Sequence, residues 1–333
     1  MDSTDLEVLK AAARWVEQGH YALLGTVVRT WGSAPRPVGS MMAMRADGRI
    51  VGSVSGGCIE DELLEQVSSG RLRPQHPHLV RYGVDAEEAH RFGLPCGGTV
   101  EILLEPLSSA SRIPALLESV AKRQALRREL DLHTGAVRLF PGAQAGALYL
   151  DEHRLVTRHG PRHRLILIGA AQLSRLVADM AHVLDFQVIV CDPRENYLDE
   201  WKTEGVELVR EMPDDLIQRL HPDANTAIVA LTHDPKLDDM ALLEALKSDA
   251  FYVGAIGSRA TQAKRRERLA LLGLSEEEIA RLRGPVGLYL GARTPQEIAV
   301  SVMAEITAVR NGVPILQTHA LREQTSPETR PTE

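Results

Sequence analysis

Cysteine is scarce, with only Cys58, Cys96 and Cys191 in 333 residues. Three thiols cannot make a complete disulfide framework, and they suit a reducing compartment. Long apolar runs are missing too, so no membrane span is expected. There is no basic excess: 38 Lys and Arg stand against 45 Asp and Glu, a net charge of −7. Sequence-independent attraction to nucleic acid is therefore not expected. The stretch Met1-Asp2-Ser3-Thr4-Asp5 is acidic and lacks the basic and apolar regions of a signal peptide. These absences lead to the expectation of a soluble cytoplasmic protein. The 44% apolar content supports packed cores, and the length allows about two domains.

What is present centres on Gly52-Ser53-Val54-Ser55-Gly56-Gly57-Cys58-Ile59-Glu60. A β-type stretch runs into paired glycines, a cysteine and the acidic start of a helical pattern. Glycines let several N–H groups turn toward one point, which suits an anion. The positive end of the helix adds to this and lowers the pKa of a thiol placed there. Taken alone, the stretch also fits a tight turn around an inert cysteine. The pattern returns, however, in Leu94-Pro95-Cys96-Gly97-Gly98-Thr99, and upstream stands Thr30-Trp31-Gly32-Ser33-Ala34-Pro35-Arg36-Pro37. Three such loops within one small domain favour a shared site.

These loops resemble the N-terminal part of the XdhC/CoxI family. The resemblance continues in Cys191-Asp192-Pro193-Arg194, Thr232-His233-Asp234-Pro235, Gly254-Ala255-Ile256-Gly257-Ser258-Arg259 and Thr294-Pro295-Gln296-Glu297-Ile298-Ala299-Val300-Ser301. It implies a chaperone that binds the molybdenum cofactor, supports its sulfuration and hands it to a molybdenum hydroxylase such as xanthine dehydrogenase. The carried form is either molybdopterin or its cytosine dinucleotide. A cysteine desulfurase or sulfurtransferase is the implied sulfur source, and the implied assembly is a homodimer. Cofactor contacts are then expected at Gly32, Ser33, Arg36, Ser55, Gly56, Gly57, Cys58, Glu60, Cys96, Gly97 and Gly98. In the second half they are expected at Gly169, Asp192, Arg194, Gly257, Ser258 and Arg259. Cys58 stands as a molybdenum ligand, a persulfide relay or a shaper of the loop. No residue is assigned a catalytic role.

The fold class expected is α/β, with a mixed α+β domain over 1–159, a Rossmann-like doubly wound parallel sheet over 160–316 and a loose tail over 317–333. Helical periodicity covers Leu6–Val16, Ile59–Val67 and Ala115–Arg128. Strands are expected at Tyr21–Arg29 and Val100–Leu104, with a hairpin at Asp47-Gly48 and a strand pair turning through Asp151-Glu152. After the basic break Gly160–Arg164 come continuous apolar strands at Leu165–Ile168, Gln187–Cys191, Ala227–Leu231 and Phe251–Ile256, joined by helices. Pro295–Val309 closes the domain as a helix.

Gly169-Ala170-Ala171 occupies the place of a dinucleotide loop, with Asp192 near the spacing of the ribose-binding acid. Ala171 stands where a glycine normally lets the backbone approach a pyrophosphate, so weak or absent NAD binding is expected. Asp192-Pro193-Arg194 reads equally as a ligand contact and as a capped turn with Arg194 paired internally. Thr232-His233-Asp234 shows no nucleophile at triad spacing. Gly257-Ser258-Arg259 suits a phosphate. Lys264-Arg265-Arg266 is expected to be a solvated helix face, and Glu297, Ser301 and Glu305 lie along one face of the last helix. A nicotinamide-dependent oxidoreductase is the alternative to the carrier, and a docking protein with a vestigial site is a third reading.

Overall fold

The computed structural model describes residues 1–32, 36–83, 98–142, 148–199, 201 and 203–315. The expected tail over 317–333 lies outside them, as do Ser33, Cys96 and Gly97. The chain divides into two units, Met1–Pro161 and Arg162–Glu333.

In the first unit α1 (Ser3–Glu17) begins where the Asp2 carboxylate accepts the Asp5 N–H at 2.8 Å. There follow β1 (Ala22–Trp31), β2 (Met41–Arg45), β3 (Ile50–Gly52), α2 (Cys58–Ser68), β4 (His78–Tyr82) and β5 (Thr99–Pro106). The hairpin turns at Asp47-Gly48 as expected, with Gly48 at φ 99°. These five strands form one antiparallel sheet in the order β3-β2-β1-β5-β4. Alternation divides its side chains. Leu23, Met42, Met44, Ile102 and Leu104 face the α2 side with Ile59 and Leu63, and Ala22, Leu24, Met41 and Ala43 face Val8, Leu9 and Trp15 of α1.

The helix expected over 115–128 is shorter than its periodicity suggested. Helix α3 spans Ile113–Ala121, Arg123 takes φ 59°, and the chain resumes as β6 (Leu126–Asp131). Burial of Leu126, Arg128 and Leu130 gives β6 the period of two that defines a strand. With β7 (Val137–Pro141), β8 (Leu148–Leu150) and β9 (Arg154–His159) it makes a second antiparallel sheet, ordered β7-β6-β9-β8. Val28 and Leu103 of the first sheet pack against Leu130, Val137 and Leu155 of the second. Buried Arg128 donates to Glu105, which joins the two sheets through an ion pair.

The second unit runs β10 (Arg164–Ile168), α4 (Gln172–Val183), β11 (Gln187–Cys191), α5 (Glu195–Leu198), β12 (Val206–Val209), α6 (Pro213–Leu220), β13 (Thr226–Ala230), α7 (Pro235–Ala245), β14 (Tyr252–Ala255), α8 (Arg259–Leu271), α9 (Glu276–Ala280), β15 (Leu282–Arg283) and α10 (Pro295–Arg310). All its strand pairs are parallel, in the order β12-β11-β10-β13-β14-β15. This is the doubly wound Rossmann order, with its switch point between β10 and β13. Leu165 and Leu167 enter one core and Ile166 and Ile168 the other, as a sheet covered on both faces requires.

Candidate functional site

Strand directions bring the first unit's loops together at one sheet end. β3 runs parallel to β1, and β5 runs antiparallel to it, with Trp31 opposite Thr99. The chain leaving β1 at Gly32, the chain leaving β3 at Gly52 and the chain entering β5 from Gly98 therefore all lie toward the same end of the sheet. Gly32 has φ 68°, Arg36 is exposed and Gly98 is buried.

The β3–α2 turn is built around a carboxylate. Gly52 takes φ 86°, and a Cβ there would stand 2.4 Å from the Met41 carbonyl oxygen and from Val8 Cγ2, so only glycine fits. Gly56 and Gly57 take φ 97° and 146°, which again favours glycine. Glu60, in the first turn of α2, folds back under the loop and is only 6% exposed. Its Oε1 accepts the N–H groups of Val54 at 2.8 Å, Ser55 at 2.9 Å and Gly56 at 3.1 Å, and the Ser53 hydroxyl at 2.6 Å. Its Oε2 accepts the Gly57 N–H at 2.9 Å and the Ser55 hydroxyl. Burial opposes the charge, but these donors outweigh it and hold the carboxyl down to about 2.

The anion held by this concavity is thus the protein's own. The N–H groups of Gly56 and Gly57, expected to face a ligand, are donated to Glu60. The opposite side of the turn is uncrowded: beyond each glycine's immediate chain neighbours, no atom of the described residues lies within 4 Å of a Cβ built on Gly56 or Gly57. Cys58 follows Gly57 as the first residue of α2. Sequence reasoning missed Ser53 and Ser55 as hydroxyl donors to Glu60. The signal was there, in two serines preceding a glutamate at the third helical position.

In the second unit Gly169, Asp192, Arg194 and Gly257 follow β10, β11 and β14 at the carboxyl edge of the sheet, where such folds take ligands. Gly169 takes φ 103°, and a Cβ there would crowd the Thr232 backbone at 3.1 Å. Asp192 is fully buried and its carboxylate is already engaged. Ala170 N–H donates to it at 2.9 Å, and the Arg194 guanidinium grips both oxygens at 2.8 Å each. Burial pushes the Asp192 carboxyl up, and Arg194 with the Ala170 and Arg194 N–H groups brings it below the usual range. Arg194 also lies 4.0 Å from the Tyr197 ring centroid. Asp192-Pro193-Arg194 thus forms an internally paired turn in this structure.

Ser258 caps α8, accepting the Thr261 N–H at 3.1 Å, and its hydroxyl is hydrogen-bonded to the Thr261 hydroxyl at 2.9 Å. Its hydroxyl serves the helix, while Gly257 and Arg259 line a cleft of about 350 Å³ with Val286, Tyr289 and Ser301. Behind it Glu305 accepts the Tyr252 hydroxyl and the Gly287 N–H, each at 2.6 Å, and Ser301 donates to the Leu288 carbonyl. Ser301 and Glu305 form a buried polar seam that fixes the loop over the cleft. Glu297 instead closes the capping box with Thr294.

Lys264-Arg265-Arg266 is not a wholly solvated face. Lys264 is exposed, but Arg265 is buried and reaches Asp238 at 2.8 Å and the Ile256 carbonyl at 2.9 Å. Asp238 in turn accepts the Thr232 N–H and hydroxyl at 3.2 and 2.7 Å. This pair fixes two loops of the carboxyl edge. His233 is exposed at φ 61°, and Asp234 caps α7 by accepting the Lys236 N–H at 2.9 Å. Cys191 is buried, donates to the Glu211 carbonyl at 3.3 Å, and is pushed up to about 12 by burial, with Asp192 and Glu211 adding to the shift.

Known proteins share this construction. Residues 165–306 match the family described as the XdhC Rossmann domain, and residues 15–83 match the XdhC and CoxI family. The chain is 30% identical over 307 residues to the molybdenum cofactor insertion chaperone PaoD of Escherichia coli (strain K12), covering 91% of this chain and 88% of that one. It is 27% identical over 328 residues to a Bacillus subtilis (strain 168) protein named as a probable xanthine dehydrogenase subunit, covering 90% and 97%. A crystal structure from Bacillus halodurans, described as a xanthine dehydrogenase, has the same fold, with a TM-score of 0.71 at 22% identity over 96% of this chain and 98% of that one. The chain belongs to the XdhC and CoxI family.

Proposed function

We propose that this protein is a molybdenum cofactor chaperone, which holds the cofactor during sulfuration and inserts it into a hydroxylase of the xanthine dehydrogenase or aldehyde oxidoreductase type. The observation that carries the reading is the 30% identity to a molybdenum cofactor insertion chaperone across 91% of the chain. The chemistry of the first unit fits such a cargo. The open face of the Gly56-Gly57 turn gives a flat group close backbone approach, and exposed Arg36 offers a guanidinium suited to a phosphate. A thiolate at position 58 suits a soft metal or sulfur transfer. Bound there, the cofactor would supply the molybdenum and dithiolene chemistry of the client. Glu60 would keep the turn in shape while its own charge stays locked beneath.

The same reading includes a cytosolic homodimer that receives sulfur from a cysteine desulfurase or sulfurtransferase. Gly32, Ser33, Cys96, Gly97 and Gly98 belong to the proposed site with the Gly56–Cys58 turn. In the second unit the proposed contacts are Gly169, Gly257, Ser258 and Arg259, with Asp192 and Arg194, which here hold each other.

The oxidoreductase alternative is weaker, because Ala171 crowds the dinucleotide loop and Asp192 is spent on Arg194 and Ala170. The test is what copurifies from a molybdate-fed host. Molybdenum with a pterin is expected, and its retention should fall in Cys58→Ser and not in Cys191→Ser. Copurified NAD without molybdenum, or equal losses in the two variants, would overturn the reading.

A further inference from the structure

Two exposed histidines meet at the rim of the second sheet of the first unit. His133 Nε2 and His153 Nδ1 stand 3.3 Å apart, with ring centroids at 5.6 Å and planes at 54°. They sit on matching turns. Asp131-Leu132-His133 joins β6 to β7, and Asp151-Glu152-His153 joins β8 to β9. In each turn the aspartate accepts the N–H of the histidine, at 3.0 Å in the first and 2.8 Å in the second. Each aspartate also accepts the next N–H along, from Thr134 and Arg154, both at 2.8 Å. The Leu132 N–H donates to the His153 carbonyl at 2.8 Å and ties the two turns together. The backbone under both imidazoles is therefore fixed by paired strands, two carboxylates and one cross-turn hydrogen bond.

We propose that His133 and His153 form a bidentate imidazole site for a divalent transition-metal ion. Two nitrogens bound at about 2.0–2.1 Å in a tetrahedral shell lie about 3.3–3.4 Å apart, which is the separation present here. Only one proton fits between facing ring nitrogens, so in the neutral pair one of the two already presents a bare lone pair. On metal uptake that proton passes through solvent to the other nitrogen of its own ring. The neutral pair then binds without net proton release, whereas a pair carrying one imidazolium releases one proton. Both rings are exposed, so a small turn of each about its side-chain bonds would aim their lone pairs at a common ion. Asp131 and Asp151, one residue removed in each turn, add negative charge beside the cation.

Among the described residues no group of three His, Cys, Asp or Glu side chains could hold a metal ion. Two imidazoles are thus the protein ligands, and water completes the shell. Imidazole pairs favour copper over nickel and nickel over cobalt. The site uses no residue of the proposed cofactor cradle, so its fate and that of the chaperone reading are separate.

The test is calorimetric titration of the full-length, untagged protein with NiCl2 and with ZnCl2. Wild type, His133→Ala, His153→Ala and the double variant are compared at neutral and mildly acidic pH. One site should be present in wild type, and loss of either imidazole should weaken it by about tenfold or more, since the chelate becomes a single contact. The metal should raise the thermal midpoint of wild type more than that of any variant. A site of unchanged affinity in the double variant, or in either single variant, would overturn the proposal.

Discussion

Glu60 accepts the N–H of Gly57, the residue that caps its own helix, at 2.9 Å, and through its other oxygen gathers the N–H groups of Val54, Ser55 and Gly56. A loop that reads as an anion receptor is in fact closed around an internal carboxylate. The glycines are needed for the turn's shape, and the carboxylate keeps that shape when no cargo is bound.

This arrangement sets a pH dependence. The Glu60 carboxyl is held at about 2, against an ordinary value of 4.5. A depressed carboxylate stabilises the fold fully above its unfolded value, and the stabilisation is lost as pH falls from about 4.5 toward 2. The difference corresponds to about 3 kcal/mol. Glu60→Gln should cost a similar amount at neutral pH, because its amide N–H groups meet donors in place of acceptors. Denaturant unfolding across this window should show wild type converging on the variant in acid. A gap that does not change with pH would remove Glu60 from this role.

The carboxyl edge of the second unit's sheet leads to a second expectation. NAD(H) must find room beside the Ala171 methyl and an acid other than Asp192, whose oxygens are taken by Arg194 and Ala170. Calorimetry should therefore detect weak or no binding in wild type, and Ala171→Gly should strengthen whatever remains. A micromolar dissociation constant for wild type would show that the loop tolerates the methyl and that Arg194 gives way.

How far the fold was legible follows from where each element gets its pattern. The strand Arg164–Ile168 is buried on both faces and reads as an unbroken apolar run; Asp47-Gly48 carries its turn in two residues. The strand Leu126–Asp131 did not read as one. Its central Arg128 is buried only because Glu105, distant in sequence, meets it, and a charged residue at a core position looks like a solvated helix face. Arg265 misled in the same way, since its partner Asp238 belongs to another helix. Local patterns announced elements that satisfy themselves locally. Long-range ion pairs hid the rest. At the site, the first-turn position of Glu60 was readable, whereas Arg194 pairing with Asp192 was one of two equal readings until the backbone placed them.

Arg265 offers a direct test of the buried pair. Replacing it with methionine leaves Asp238 buried and uncompensated, in a site where burial already pushes that carboxyl above its usual range against the pull of Thr232 and Arg265. The expected loss is about 3–5 kcal/mol, and Asp238→Asn in the same chain should recover part of it. Lys264→Met, one position away and exposed, should change stability by less than about 0.5 kcal/mol. Equal effects at 264 and 265 would mean that the pair contributes nothing.

Thiol reactivity tests the proposed site most directly. A free cysteine has a pKa of about 8.5, so little thiolate is present at neutral pH. Cys191 lies far on the unreactive side: burial pushes it up to about 12, and its S–H is donated to the Glu211 carbonyl. Cys58 begins α2, where the helix's positive end favours the anion. The Gly56 and Gly57 N–H groups do not add to this, being committed to Glu60, so the expected lowering is that of a helix terminus alone. Cys96, which lies outside the described residues, is followed in sequence by Gly97, Gly98 and the strand from Thr99, a pattern that predicts less help for the anion. Alkylation rates measured across pH should therefore rank Cys58 first, Cys96 second and Cys191 last, with the Cys58 rate reaching its plateau below the pH at which a free thiol does. Glu60→Gln should lower the Cys58 pKa further, because it removes a negative charge from the same helical turn and leaves turn N–H groups without their charged acceptor. Fastest reaction at Cys191, or a Cys58 profile matching a free thiol, would reduce the β3–α2 turn to a purely structural corner.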